Sequence, residues 1–235
     1  MKTVLAPLLG EKGGNHPFAR YVNHDETYGP HIVEKFISKL HNLNTVVDLG
    51  AGRGRDLGIV KRVHPHAWTS ALEADCEFAM ELAGKADKVH VLDIERAIFP
   101  FPDESIDLFI ANQVLEHTKE IFWIFHEVTR CLQTGGHFLF GVPNIASLHN
   151  RLLLLFGAHP TQHKLCSAHV RPFSKSDTAK FLEAWFPGWW LSPRKLRRVS
   201  VLSFPSQNRA AYGKRVPNRS VFNLLFVAKM QKVQR

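Results

Sequence analysis

A chain of 235 residues with 45% hydrophobic composition is long enough to bury one sizeable core. No apolar run approaches the ~18–20 residues of a membrane-spanning helix, and the early run at 4–9 lacks the h-region and cleavage site of a secretory signal. The net charge of +9 is lopsided: all 21 acidic residues precede residue 184, whereas 11 of the 30 Lys/Arg follow it.

In chain order, residues 1–43 read as a lead-in, with a helical apolar pattern at Ile32, Val33, Phe36, Ile37 and Leu40. Residues 45–49 form a short apolar run that reads as a buried parallel strand, with Asp48 at its exit. Gly50, Gly52 and Gly54 follow at alternate positions, where positive φ and a close backbone approach to a ligand become available. Asp48 can accept from an ammonium group, and the next helix N-terminus offers backbone N–H donors. A dinucleotide-binding turn, G-x-G-x-x-G, is the rival reading, but Arg55 stands where its third glycine belongs. A glycine-rich turn with no ligand remains a third reading of this segment alone.

Downstream, helix and strand patterns alternate. A helix is predicted over 57–63, a strand over 68–72 ending in Glu73, a helix over 77–83 and a strand over 88–92 ending in Asp93. A strand over 106–111, a helix over 119–131 and a strand over 137–142 after Gly135-Gly136 complete the series. Such β/α alternation predicts a mostly parallel three-layer α/β sheet. Beyond an insertion at 143–173 and a helix near 176–185, strand-like runs at 189–203 and 221–230 have no crossover helix between them. They should pair antiparallel. The whole of 1–235 is read as a single domain.

Three acids thus fall at successive strand ends, where doubly wound sheets bind ligands. Together with the glycine loop, and with Leu115-Glu116-His117 and Val142-Pro143-Asn144 farther on, they resemble the class I S-adenosylmethionine (SAM) methyltransferases. The likeness is to the small-molecule branch, similar to the methyltransferase type 11/23 group, and is close over 44–144. It implies a Rossmann-like seven-stranded sheet closed by an antiparallel C-terminal hairpin, with SAM as cofactor and S-adenosylhomocysteine (SAH) as product. In that likeness Asp48, Gly50, Gly52 and Gly54 wrap the methionine end, and Glu73 grips the ribose hydroxyls. Asp93 and Ile94 meet the adenine, and Asn112 lines the far side through its backbone. Asp75 competes with Glu73 but reads better as a helix cap.

The expected acceptor is a small molecule, methylated at oxygen, with His117 as candidate base at the mouth of the cleft. Ile145, Leu148, Leu152, Leu155 and Phe156 give the insertion a helical apolar face, read first as packing and second as a greasy acceptor pocket. His159, His163, Cys166 and His169 match no zinc spacing well, so no metal is expected. RNA methylation, at ribose or base, is the alternative function, with nucleic acid or an anionic surface as the partner through residues 194–235, where Arg194, Lys195, Arg197 and Arg198 lie near Trp189 and Trp190. Base-amine methylation is disfavoured, because Ala111-Asn112-Gln113-Val114 lacks the paired prolines that such enzymes carry after strand four. A SAM-binding protein without turnover is the remaining alternative. Cys76, Cys131 and Cys166 read as free thiols, which suggests a cytoplasmic location.

Overall fold

A computed structural model describes residues 30–160, 168–186, 189–191, 198–199 and 223–230. All of them belong to one compact unit, Tyr28–Leu202 with Pro217–Arg235. The elements are α1 (Pro30–Ile37), β1 (Thr45–Leu49), α2 (Arg55–Val63), β2 (Trp68–Glu73), α3 (Cys76–Glu81), β3 (Lys88–Val91) and β4 (Ile106–Asn112). A 3₁₀ turn (Leu115–His117), α4 (Ile121–Cys131), β5 (Leu132–Pro143), α5 (Leu148–Leu155), α6 (Lys175–Trp185), β6 (Trp189–Leu191), β7 (Arg198–Val199) and β8 (Asn223–Met230) follow.

The sheet runs β3-β2-β1-β4-β5-β8-β6, with the two-residue β7 also paired to β8. β3, β2, β1, β4 and β5 are mutually parallel, and β8 is antiparallel to both β5 and β6. The described strands number eight against the expected seven, the extra one being β7. Much of 189–203 and 1–29 lies outside the described residues.

Period-two alternation in the central strands supplies both faces of this sheet. Val47, Leu49, Phe109, Ala111, Phe138 and Phe140 point one way, onto Ile124, Phe125 and Val128 of α4 and Leu182 of α6. Val46, Leu108, Ile110 and Leu139 point the other way, onto Val33, Phe36 and Ile37 of α1 and Ile59 and Val60 of α2. Because β1 and β4 are buried on both faces, their sequences read as continuous apolar runs. Phe125 meets Phe138, Phe140 and Phe181 at ring-centroid separations of 5.3, 5.7 and 5.4 Å, all edge-on.

Asp107 fixes the end of β4 remote from the glycine loop. Its carboxylate accepts from Asn44 N–H (2.7 Å) and Thr45 N–H (2.9 Å) and from the Gln133 amide. Asp107→Ala strands both backbone donors and should cost about 1–3 kcal/mol in urea unfolding.

The insertion departs from its first reading. Leu148, Leu152, Leu155 and Phe156 are exposed, and the polar side of α5 is the anchored one: Asn150 is fully buried and donates to Asn144 O (3.0 Å). Ser147 caps that helix by accepting from Asn150 N–H.

Candidate active site

Strand order reverses between β1 and β4, and at such a switch point the two crossovers leave a crevice at the strands' carboxyl ends. A cavity of ≈ 350 Å³ lies there. Of the residues predicted from sequence, Gly50, Gly52, Glu73, Asp93, Ile94 and His117 line it. Asp48, Gly54 and Asn112 do not.

The loop after β1 owes its shape to its glycines, with φ of +61° at Gly50, +52° at Gly52 and +76° at Gly54. These values cost an L side chain about 1–2 kcal/mol each. A Cβ on Gly50 would sit 2.9 Å from Val114 Cγ2, so the loop presses against the segment that follows β4. At Gly52 a Cβ would meet nothing within 4 Å. Gly54 serves packing: its Cβ would lie 2.8 Å from Leu82 Cδ2.

Glu73, the last residue of β2, accepts from Gly52 N–H at Oε2 (2.7 Å) and from Asp75 N–H at Oε1 (3.0 Å). Each carboxylate oxygen has further lone-pair capacity for hydroxyls in the cavity. Asp75 caps α3, as expected, by accepting from Glu77 N–H and Phe78 N–H. Asp93 turns its own loop by accepting from Glu95 N–H (2.9 Å), and Glu95 in turn accepts from Glu120 N–H (2.8 Å) at the start of α4. The Asn112 side chain donates to Asp56 (2.9 Å) in the first turn of α2, joining the two halves of the switch point.

Asp48, Asp56 and Glu73 are all under 9% exposed. Burial first, then the charges of Asp56 and Glu73, push the Asp48 carboxyl well above its ordinary 3.8, with Arg55 opposing. The cavity wall itself carries Glu73, Asp75, Asp93 and Glu95, and such an acidic wall favours a cationic ligand; SAM carries both an ammonium and a sulfonium.

The 3₁₀ turn after β4 supplies a further part of the wall. His117 is exposed to the cavity, and its Nδ1 lies 3.2 Å from Ala168 O. A carbonyl only accepts, so Nδ1 is the donor, and in the neutral ring the lone pair is on Nε2. Beside it, Glu116 is 1% exposed, and burial raises its carboxyl to about 8. The His169 ring packs edge-on against that of His117, with centroids 4.7 Å apart.

Sequence reasoning missed Gln113, Val114 and Phe78, which also line the cavity. Gln113 has φ +63°, a value rare outside glycine, and its N–H is fixed on Gly141 O (2.8 Å). Nothing in its residue type signals that conformation.

Residues 47–140 match a family model described as a methyltransferase domain. The fold is that of the class I SAM-dependent methyltransferases. Solved structures share the fold. A SAM-dependent methyltransferase from Archaeoglobus fulgidus superposes with a TM-score of 0.59 at 15% identity, covering 85% of this chain and 92% of that one. A Thermotoga maritima SAM-dependent methyltransferase, a possible histamine N-methyltransferase, gives 0.60 at 17% identity over 92% and 98%. The plantazolicin methyltransferase BpumL, solved with a pentazolic desmethylPZN analog and SAH, gives 0.63 at 12% identity over 91% and 89%. Among the described residues no helix is long and apolar enough to cross a membrane.

Proposed function

We propose that this methyltransferase transfers the SAM methyl group to an oxygen of a small-molecule acceptor. The observation that carries the reading is His117 in the wall of the cavity that Glu73 also lines, with its Nδ1 committed to Ala168 O. A hydroxyl is a poor nucleophile until its proton is drawn off, whereas an amine already has its lone pair. An imidazole with a free Nε2 lone pair suits the first task. In the transfer the acceptor oxygen attacks the methyl carbon in line, the S–CH₃ bond breaks, and its electron pair stays on sulfur. SAH leaves, and the hydroxyl proton passes to His117.

For the donor, we assign the ribose hydroxyls to Glu73, the adenine to Asp93 and Ile94, and the methionine end to the glycine loop and Asp48. Asn112 acts one step removed, by holding Asp56. Asp48 then makes binding pH-dependent. It must ionise to receive an ammonium, so SAM affinity should rise with pH through the raised Asp48 pKa, with proton uptake by buffer visible calorimetrically. Over the same window the unliganded native state keeps a proton that the unfolded chain has lost, so its stability falls as pH rises from about 3.8. Asp48→Asn should flatten that fall and weaken SAM binding about 10–100-fold. A variant that keeps both the wild-type slope and the wild-type affinity would remove Asp48 from the site.

The acceptor class is tested by following labelled methyl transfer to a panel of hydroxylated small molecules and to RNA, at two salt concentrations. Turnover on a hydroxylated compound that barely responds to salt supports the reading. Transfer to RNA that falls steeply between 50 and 200 mM salt, by ~10³-fold or more, would replace it with RNA methylation through the basic C-terminal residues.

A further inference from the structure

His117 lines the cavity, and two further side chains converge on it in a way that acid–base chemistry alone does not require. One ligand-type atom from each of Glu116, His117 and His169 lies within 4.8 Å of the other two. Both Glu116 carboxylate oxygens are shielded from solvent and have no hydrogen-bond donor. A carboxyl left so is costly to bury, by about 1–3 kcal/mol or more. Arg171 does not relieve it: its Nη2 donates to Lys119 O (2.8 Å), and its buried Nε makes no hydrogen bond.

The backbone builds this convergence. Val170 N–H and Arg171 N–H both donate to Glu116 O, at 2.9 and 3.1 Å, which brings the strand of chain carrying His169 onto the 3₁₀ turn. Ala168 O holds the His117 ring by Nδ1 and leaves its other nitrogen for a ligand bond. A carbonyl behind a ligating histidine is the usual device for fixing its tautomer and orientation.

We propose that Glu116, His117 and His169 bind a divalent transition-metal ion whose open positions face the SAM cavity and receive the acceptor oxygen. Two imidazoles and one carboxylate suit Zn²⁺, Co²⁺, Fe²⁺ or Mn²⁺ better than Mg²⁺, which favours oxygen donors. Ligands on one tetrahedral zinc stand roughly 3.4 Å apart at bond lengths of ~2.0–2.1 Å, so the group contracts by side-chain rotation on loading. This reverses the expectation, from the spacing of His159, His163, Cys166 and His169, that the chain holds no metal. Of those four, His169 belongs to this group, and His163 and Cys166 lie outside the described residues.

The inference rests on the oxygen-acceptor reading and changes the part played by His117. As a ligand it does not take the acceptor's proton. The ion lowers the pKa of the bound hydroxyl, and the proton goes to solvent. The metal-bound oxygen then forms its bond to the SAM methyl carbon as the S–CH₃ bond breaks, leaving SAH and the methyl ether. No oxidant or reductant is consumed.

The test is equilibrium dialysis of the chelator-treated full-length protein against Co²⁺ and Zn²⁺, with the Co²⁺ d–d absorption recorded and SAM binding titrated in parallel. One equivalent bound by the wild type, with a Co²⁺ spectrum of low coordination number, is expected. Glu116→Gln and His169→Ala should each weaken it by ~100-fold or more while still binding SAM, which shows that they are folded. No bound equivalent in a wild-type protein that binds SAM would overturn the ion and leave His117 as a base. Metal binding equal in wild type and both variants would overturn the assignment to these residues. Loss of SAM binding by the wild type itself would count against the cofactor reading, which the metal titration does not touch.

Discussion

Glu73→Ala is expected to weaken SAM binding by about 100-fold or more. Its carboxylate is asked to do two things at once. It shapes the glycine loop by accepting from Gly52 N–H and Asp75 N–H, and it presents its remaining lone pairs to the ribose hydroxyls. Hydrogen bonds to a charged group contribute about 1.5–3 kcal/mol each, so losing two ligand bonds alone corresponds to a factor of ~10² or above. Glu73→Gln keeps the shape and one acceptor oxygen, and should fall between wild type and alanine. Calorimetric titration with SAM measures both. A folded Glu73→Ala protein with wild-type affinity would place the ribose elsewhere.

Gly50→Ala should be nearly as damaging, for a steric reason. The residue needs φ +61°, and the new methyl would lie 2.9 Å from Val114 Cγ2 and 3.0 Å from Cγ1. Val114 belongs to the cavity wall and is flanked by the strained Gln113, so it has little room to yield. We expect a loss of about 2–4 kcal/mol in stability and little or no measurable SAM binding. Gly52→Ala is the control. It carries a similar φ cost but meets no protein atom within 4 Å, so its stability loss should be about 1–2 kcal/mol. Equal destabilisation by the two substitutions, seen in thermal unfolding, would contradict the contact argument.

Much of the fold was legible because the strands are buried on both faces. A run such as Thr45–Leu49 has few other places to go, and its glycine-rich exit marks the turn into α2. The acids at 73 and 93 stand at strand ends for a related reason, since a charge there has to be near solvent or a ligand, and both line the cavity; Asp48 is buried and does not line it. The helix at 119–131 began two residues late, at Ile121, because the backbone of Lys119 and Glu120 is turned toward Glu95 rather than into the helix.

Other features left no local trace. Gln113 adopts a left-handed backbone because β4 must end against Gly141, a constraint set by a strand 28 positions away. Gly54 looked like a ligand-contacting glycine but answers to Leu82. The outward apolar face of α5 could not be foreseen either. A helix periodicity states which residues share a face, while the buried Asn150 and Ser147 decide which face turns in. The pairing of His169 with Glu116 and His117 is likewise tertiary, made by two backbone bonds to Glu116 O across more than 50 residues.

The most direct single measurement is a calorimetric titration of the full-length protein with SAM and with SAH, repeated with Glu73→Ala. The account requires saturable one-to-one binding of both ligands by the wild type and its loss in the variant. A well-folded wild-type protein that takes up neither ligand would contradict the assignment of this cavity to the methyl donor.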